Sequence, residues 1–336
     1  MSTPPPLVEC VVNVSEGRDR SVIDTFAEAI AAVPDCYLLH QDAGHGAHRT
    51  VFTFAGPPEA VFAAARRVYE VANACIDMRQ HQGTHPRSGA VDVCPFVPIS
   101  GVTQEDLLAR TQVLAQWVGT RLHLPVYLYA DSALDASRQN LADIRRGEYE
   151  GLVDKMRGAE WQPDFGLSVP NPALGITVMG VRPFLIAWNI NLEPAATLSQ
   201  TRQLAARLRG SGSKGRPGLF PGLKAIGWYI DEYGRCQISC NVVDPAATPL
   251  AKVYLTATGL AAEMGIRVTG SELVGLIPAE YLRAAARNFC FGSDEEEQME
   301  TAVAILGLND LEPFNWRKRV FEAAYRDAAQ RARHSQ

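Results

Sequence analysis

The sequence predicts an α+β protein of two ferredoxin-like α/β subdomains, and three observations carry that reading. Short β-rich runs alternate with amphipathic helical runs. The order β-α-β-β-α-β is legible twice along the chain. The 336 residues suffice for two compact domains at roughly 100–200 residues each.

The first strand is the apolar, β-rich run Val8 to Val14, stopped by Ser15-Glu16-Gly17-Arg18. A helix follows with Val22, Ile23, Phe26, Ile30 and Val33 on one side, and Pro34 ends it. Cys36 to Leu39 reads as a short strand and Thr50 to Phe54 as another, separated by the glycine loop around Asp42. Pro57-Pro58-Glu59 opens a second helix running to about Asn73, and Val91 to Ile99 is the fourth strand. Thr103 with Asp106 predicts a capped helix start. Val126 to Ala130 is a further strand, and Arg138 to Met156 mixes loop and helix.

Phe184 to Ile190 starts the pattern again. A helix from about Ser199 to Arg209, strands Ala225 to Asp231 and Arg235 to Val242, a helix from Pro249 to Met264 and a strand Arg267 to Thr269 complete it. The Pro- and Gly-rich run WQPDFGLSVPNPALGITVMGVR, Trp161 to Arg182, reads as the linker, which places the subdomains at 1–181 and 182–336. Amphipathic helices between half-buried strands put the helices of each sheet on one face. The bare faces of two such sheets are then expected to pack on each other or line a cleft.

Composition excludes several classes. Hydrophobic residues make up 47% and charged residues 21%, an ordinary globular profile. A formal net charge of -5 argues against nucleic acid as a partner. The N-terminal MSTPPPLVECVVNV has neither a basic n-region nor a long apolar core, so no secretory signal is expected. No run of about 18 apolar residues is present, so no membrane span is expected. The 7 cysteines are scattered without a CxxC and read as reduced thiols of a cytoplasmic protein.

The densest chemical signal is His81-Gln82-Gly83-Thr84-His85-Pro86-Arg87-Ser88-Gly89. Two histidines four apart imitate a helical metal pair, but Gly83 weakens a helix and Pro86 drives His85 out of the α region. No glutamate lies between them, so no metal is expected. His85 in a loop before a strand suits acid-base work, since an imidazole titrates near neutrality; the alternative is a hydrogen-bonded loop histidine. Thr84 and Arg87 read as turn-shaping. Asp42, at a strand end in Gln41-Asp42-Ala43-Gly44, is placed to orient a histidine or simply to form a turn. His45, His48 and Arg49 read as surface or loop polar groups.

From Pro194 to Ile230 the chain has no acidic residue but carries Arg202, Arg207, Arg209, Lys214, Arg216 and Lys224. Its glycine-rich loop Gly210 to Gly218 is mobile by composition and suited to closing over a substrate carboxylate; a solvated helix face is the alternative. Asp164-Phe165-Gly166 occurs without any other kinase signature, which excludes a kinase.

Taken together, LVECVVNVSEGRD, DAGHGAHRTVFTFAGPP, IDMRQHQGTHPRSGAVDVCPFVPI, VYLYADSA, IRRGEYEGL, WQPDFG, FLIAWNINL, AIGWY and ELVGLIP resemble the glutamate formimidoyltransferases, or formiminotransferases. The similarity runs from about Leu7 to Phe314 and matches the N-terminal transferase part of formimidoyltransferase-cyclodeaminase. It implies two α/β subdomains with facing sheets and outer helices, a homodimer, and no cyclodeaminase portion; whether a separate cyclodeaminase is a partner stays open.

The resemblance also implies roles. The catalytic histidine of Gly-x-His-Pro-Arg is His85 and its partner carboxylate is Asp42. Thr84 stands where the family often has an acidic residue. The folate-binding stretch corresponds to Gly166 through Gly175. With the preceding Asp164 and Phe165 it comprises Gly166, Leu167, Ser168, Val169, Pro170, Asn171, Pro172, Ala173, Leu174 and Gly175, and its middle, LSVPNPAL, departs from the usual residues. The implied reaction moves a formimidoyl group from N-formimidoyl-L-glutamate to N5 of tetrahydrofolate, the co-substrate, without a metal. The charge distribution, not the resemblance, assigns Lys214 and Arg216 to the glutamyl carboxylates. Two readings stay open beside it: N-formylglutamate or another one-carbon donor on the same fold, and a folate-binding protein without turnover.

Overall fold

In β1 (Leu7–Val14) the residues Val8, Cys10, Val12 and Val14 are fully buried, and Glu9, Val11 and Asn13 project from the other side by the period-2 rule of a strand. The computed structural model describes residues 4–213, 215–290, 292 and 294–334. Its chain divides between Pro183 and Phe184 into two compact units.

In the first unit, Asp19 caps α1 (Arg20–Ala31) by accepting the Ser21 and Val22 amides, and α1 buries Ile23, Phe26 and Ile30. β2 (Tyr37–Gly44), β3 (Arg49–Gly56), α2 (Pro58–Cys75) and β4 (Val91–Ser100) follow. β1 lies antiparallel between β3 and β4, with β2 antiparallel outside β3. Thr103 starts α3 (Gln104–Arg121) by accepting the Asp106 amide at 3.1 Å, as the sequence predicts. β5 (Val126–Leu128), α4 (Leu141–Arg145) and α5 (Leu152–Lys155) come next.

The predicted linker needs correcting. Within it Thr177–Val181 forms β6, a wholly buried strand parallel to both β4 and β5, so the sheet order is β2-β3-β1-β4-β6-β5. A strand covered on both faces shows no apolar-polar alternation, and TVMGV is short enough to vanish among the flanking glycines and prolines.

One face of this sheet packs Phe52, Phe54, Cys94, Phe96 and Met179 under α1, α2 and α3. On the other face, Val93, Tyr127, Tyr129 and Val178 are covered by Ile144, Leu152 and Met156 of the α4–α5 segment. That cover belongs to the β4-β6-β5 end. The β2-β3-β1 end carries the polar side chains considered below.

The second unit runs β7 (Ile186–Leu192), α6 (Leu198–Leu208), β8 (Leu223–Ile230), β9 (Arg235–Val242), α7 (Leu250–Glu263) and β10 (Val268–Val274). Its sheet order is β10-β7-β9-β8, every pair antiparallel. Thr197 and Gln200 close a capping box at the start of α6. Ile186, Trp188, Ile190, Ile238, Cys240 and Leu273 form one apolar face under the helices. Beyond β10 the chain adds α8 (Ala279–Ala286), α9 (Glu295–Leu306), α10 (Trp316–Arg319) and α11 (Phe321–His334). Among the described residues no helix is long and apolar enough to cross a membrane.

Candidate functional site

The strand register of the first unit decides which side chains share a face. Asp42 pairs with Val51 and Gly44 with Arg49. Opposite residues of a ladder lie on one face, so Asp42, Arg49, Val51 and Thr53 stand together, away from Phe52 and Phe54. On β1 the same face continues through Asn13, paired with Val51.

The loop from His81 to Arg87 is sewn onto the β2–β3 turn. His81 Nε2 donates to the His48 carbonyl at 2.7 Å, and the Thr84 amide donates to the Gly46 carbonyl at 3.2 Å. A Cβ on Gly83 would stand 2.2 Å from the Ala47 carbonyl oxygen, so only glycine fits this approach. The His48 and His81 rings stack at 4.2 Å, and His48 faces the Gln82 carbonyl at 3.0 Å and Glu16 at 3.2 Å. Burial lowers the His81 pKa below its usual value.

His85 is half-buried within this loop. Its Nδ1 lies 2.7 Å from the Pro86 carbonyl, which can only accept, so Nδ1 carries the hydrogen. Nε2 therefore holds the lone pair, and Arg49 Nη1 stands over the ring, 2.6 Å from Nε2 and 3.2 Å from Nδ1. Burial, then the Arg49 and Arg145 guanidiniums, push the imidazole well below its ordinary range, against a smaller pull from the Pro86 carbonyl. The imidazole is thus neutral at pH 7, the form that accepts a proton. Burial and Arg145 bring Arg49 down to about 10, while the Asp92 and Asp42 carboxylates act the other way.

Asp92 is fully buried on β4. One of its oxygens accepts the Ser88 amide at 2.8 Å and the other takes Arg145 of α4, which fixes where the loop rejoins the sheet. Arg87, also buried, forks to Glu150 at 2.7 and 2.8 Å and reaches Glu148 at 3.1 Å, and its Nε donates to His81 Nδ1 at 3.2 Å. The glutamates raise its pKa. Arg87 is thus more than turn-shaping: it ties the loop to the segment between α4 and α5.

The stretch Asp164 to Gly175 joins the histidine loop at one end. The Ala90 amide donates to the Leu174 carbonyl at 2.9 Å, Ile176 to Ser88 at 3.1 Å and Met78 to Ala173 at 2.7 Å. At its other end Asp164 is buried, bonded to Arg138 at 2.6 Å and to the Leu128 amide at 2.7 Å. Phe165 packs into the helix-side core, and Gly166 has φ 89° against the Leu124 carbonyl. Between these anchors Leu167, Ser168 and Val169 are exposed, Pro170 is half-buried, and Asn171 turns the chain by accepting the Ala173 and Leu174 amides at 3.0 Å. Pro172 accepts the Tyr149 hydroxyl at 2.6 Å.

Arg49 corrects the expectation of a plain surface or loop group, and so does His48. The signal that could have found Arg49 is the register: a basic residue at the first position of β3 stands diagonal to Asp42.

Arg216 and its neighbours belong to the second unit. Arg202, Arg207, Arg209 and Arg216 line one open depression with Ser199, Gln203 and Ile226. Ser213 and Arg216 exchange backbone bonds at 3.0 Å, and Arg209 braces the loop by donating to the Gly212 carbonyl at 3.0 Å. Lys214 lies outside the described residues.

The second unit's polar sheet face was not read from the sequence. Glu272 accepts from Asn189 and Gln237 at 3.0 Å and from Tyr233 at 3.1 Å, while Asp310 accepts from Asn191 at 2.9 Å, Thr269 at 2.8 Å and Arg235 at 3.1 Å.

Comparison with known proteins follows the same division. The family described as "Formiminotransferase domain, N-terminal subdomain" matches residues 7–182, and that described as "Formiminotransferase domain" matches residues 187–326. The chain is 44% identical to formimidoyltransferase-cyclodeaminase of Rattus norvegicus over 94% of its own length, and it spans 59% of that relative. It is 36% identical to glutamate formimidoyltransferase of Streptococcus pyogenes serotype M1, covering 82% of this chain and 90% of the relative. With the Thermoplasma acidophilum glutamate formimidoyltransferase the identity is 35%, over 88% and 98% respectively. Matched in order along both of its units, the chain belongs to the formiminotransferase domain family.

Proposed function

We propose that this chain transfers the formimidoyl group of N-formimidoyl-L-glutamate to N5 of tetrahydrofolate, releasing L-glutamate. One observation carries the reading on the structural side. A neutral imidazole with its lone pair on Nε2 sits in a loop whose flanking residues Met78 and Ala90 donate backbone hydrogen bonds to Ala173 and Leu174 of the 166–175 stretch assigned to folate. Relatives called glutamate formimidoyltransferase, matched over most of their length, support the same reaction.

In this mechanism N5 attacks the amidine carbon and His85 takes the N5 proton. The tetrahedral intermediate collapses, the C–N bond to glutamate breaks, and His85 returns a proton to the departing amine. A positioned acid-base of this kind is typically worth about 10²–10⁴ in rate. Asp42 acts on the same cluster through Arg49. Leu167 to Pro172 present the contact surface for folate, while Asp164, Phe165, Gly166, Ala173, Leu174 and Gly175 hold that surface in place. His85 supplies the base, and Lys214 and Arg216 are assigned to glutamyl carboxylates. The reading includes a cytoplasmic homodimer and no metal.

Purified protein mixed with tetrahydrofolate and formimidoylglutamate, with and without EDTA, is expected to form 5-formimidoyltetrahydrofolate in both cases. Product from N-formylglutamate alone would replace the donor, and folate binding without product from any donor would leave a binding protein.

A further inference from the structure

Lys155, the last residue of α5, turns its side chain inward. Its Nζ donates to the carbonyls of Asp143, Ile144 and Arg146 at 2.7, 2.6 and 3.2 Å and stands 3.8 Å from the centre of the Trp161 ring. An ammonium has three hydrogens and no lone pair, so these carbonyls use it completely. They belong to one turn, at the C-terminal end of α4. A helix of 5 residues does not hold itself together, so its shape comes from what grips it. The same turn leads into the contacts with the histidine loop. Arg145 pairs with Asp92, whose other oxygen takes the Ser88 amide. Glu148 and Glu150 hold Arg87, and the Tyr149 amide donates to the Arg87 carbonyl at 3.0 Å. The Tyr149 hydroxyl donates to the Pro172 carbonyl of the stretch assigned to folate at 2.6 Å. We propose that Lys155 is a positioning residue for the transfer: by gathering these carbonyls it sets the 143–150 segment, and with it the loop that carries His85, in the working geometry.

A helix cap without further consequence is the plain alternative, and the chemistry of the position argues for more. Burial is unfavourable for an ammonium, and together with Arg146 it brings Lys155 down to about 8, while Asp143 acts the other way. An apolar side chain of similar length would bury here at less cost. What it cannot do is draw several carbonyls to one point. The charged groups facing Lys155 are Asp143 and Arg146; Asp154 and Arg157, beside it in sequence, pair with each other at 2.8 Å. The segment it holds is also demanding. Glu148 has φ 55°, a conformation that a residue other than glycine keeps only where its surroundings impose it. Without the cation the turn can relax, and Arg145, Glu148 and Glu150 lose their common footing. Lys155 thus acts through that segment, at one remove from His85. The inference rests on the reaction proposed above for its kinetic readout, and on the geometry alone for the hold.

Amide hydrogen exchange read by mass spectrometry, together with steady-state kinetics, tests this. Lys155→Met is expected to speed exchange in residues 84–90 and 145–150 at pH 7, while β7 to β10 of the second unit keep their protection. Its kcat should fall about tenfold or more, with less than about a twofold change in either KM. A cap without further consequence would lower the unfolding midpoint and leave the loop's exchange and the kcat of the folded protein as they are. A second arm needs no variant. Wild-type kcat should decline above about pH 8, as the ammonium loses a hydrogen that a carbonyl needs, and loop exchange relative to the second unit should rise over the same range. In Lys155→Arg, whose guanidinium does not titrate there, that decline should be absent. Unchanged loop exchange in Lys155→Met overturns the proposal. Should that variant not fold, a wild-type loop whose relative exchange stays flat up to about pH 9.5 overturns it. Faster loop exchange in a protein without transferase activity keeps the hold and removes the reaction; turnover in which Lys155→Met matches the wild type keeps the reaction and removes the hold.

Discussion

Gly175 and Ser88 meet backbone to backbone: a Cβ placed on Gly175 would stand 2.2 Å from the Ser88 carbonyl oxygen. Gly175 also has φ 73°, a conformation other residues adopt only with strain. This seam joins the candidate folate stretch to the histidine loop. Gly175→Ala is therefore expected to cost about 2–4 kcal/mol of stability in urea unfolding. A change under about 0.5 kcal/mol would mean that the seam gives way without loss.

His85, the proposed base, also bears on stability. Its folded pKa is depressed, so as the pH falls the unfolded chain takes up this proton first. The contribution is complete above the ordinary value of 6.5 and is lost as the pH drops from there toward the folded pKa. Denaturation curves across that window should show the wild type losing stability faster than His85→Gln, with the two slopes agreeing above it. His81, which titrates in the same direction, is present in both proteins. The same variant should lose at least about a hundredfold in kcat while still binding folate. Near-normal turnover would take His85 out of the chemistry.

Asp164 and Arg138 form an ion pair whose side chains are only 5% and 10% exposed. Arg138→Met leaves the carboxylate buried without its opposite charge, which is expected to cost about 3–5 kcal/mol. Both Asp164 oxygens are engaged, so its effect on folate should run through the fold of the 164–175 stretch. Chemical unfolding measures the first point. The KM for tetrahydrofolate of protein kept fully folded measures the second and is expected to hold steady.

Arg216 is exposed on a hairpin turn in the depression lined by four arginines. Arg216→Ala combined with Arg202→Ala should raise the KM for polyglutamylated folate several-fold, leave kcat unchanged, and reduce the salt dependence of that KM, because exposed charge pairs are screened. Equal KM values at low salt would make the patch a bystander.

Apolar, β-rich runs broken by turn residues were enough to read most strands of both units. Val8 to Val14 and Arg235 to Val242 are the clearest examples. His85 and Asp42 were legible as chemistry-bearing types at loop and strand-end positions. β6 was not, since burial on both faces erases the alternation that marks a strand. The charge cluster around His85 was not legible either. Arg49, Asp92 and Arg145 are far from it or unremarkable in sequence, and only strand register and the placement of α4 over β4 bring them together.

Local composition and spacing thus determined the alternation of elements, the two-subdomain plan and the candidate base, all of which depend on neighbours within a few residues. Which ring nitrogen of His85 keeps its lone pair, and which charged groups surround it, was decided by tertiary structure. Those properties depend on partners from three strands, a loop and a helix, and on the loss of water around them, which no local pattern records.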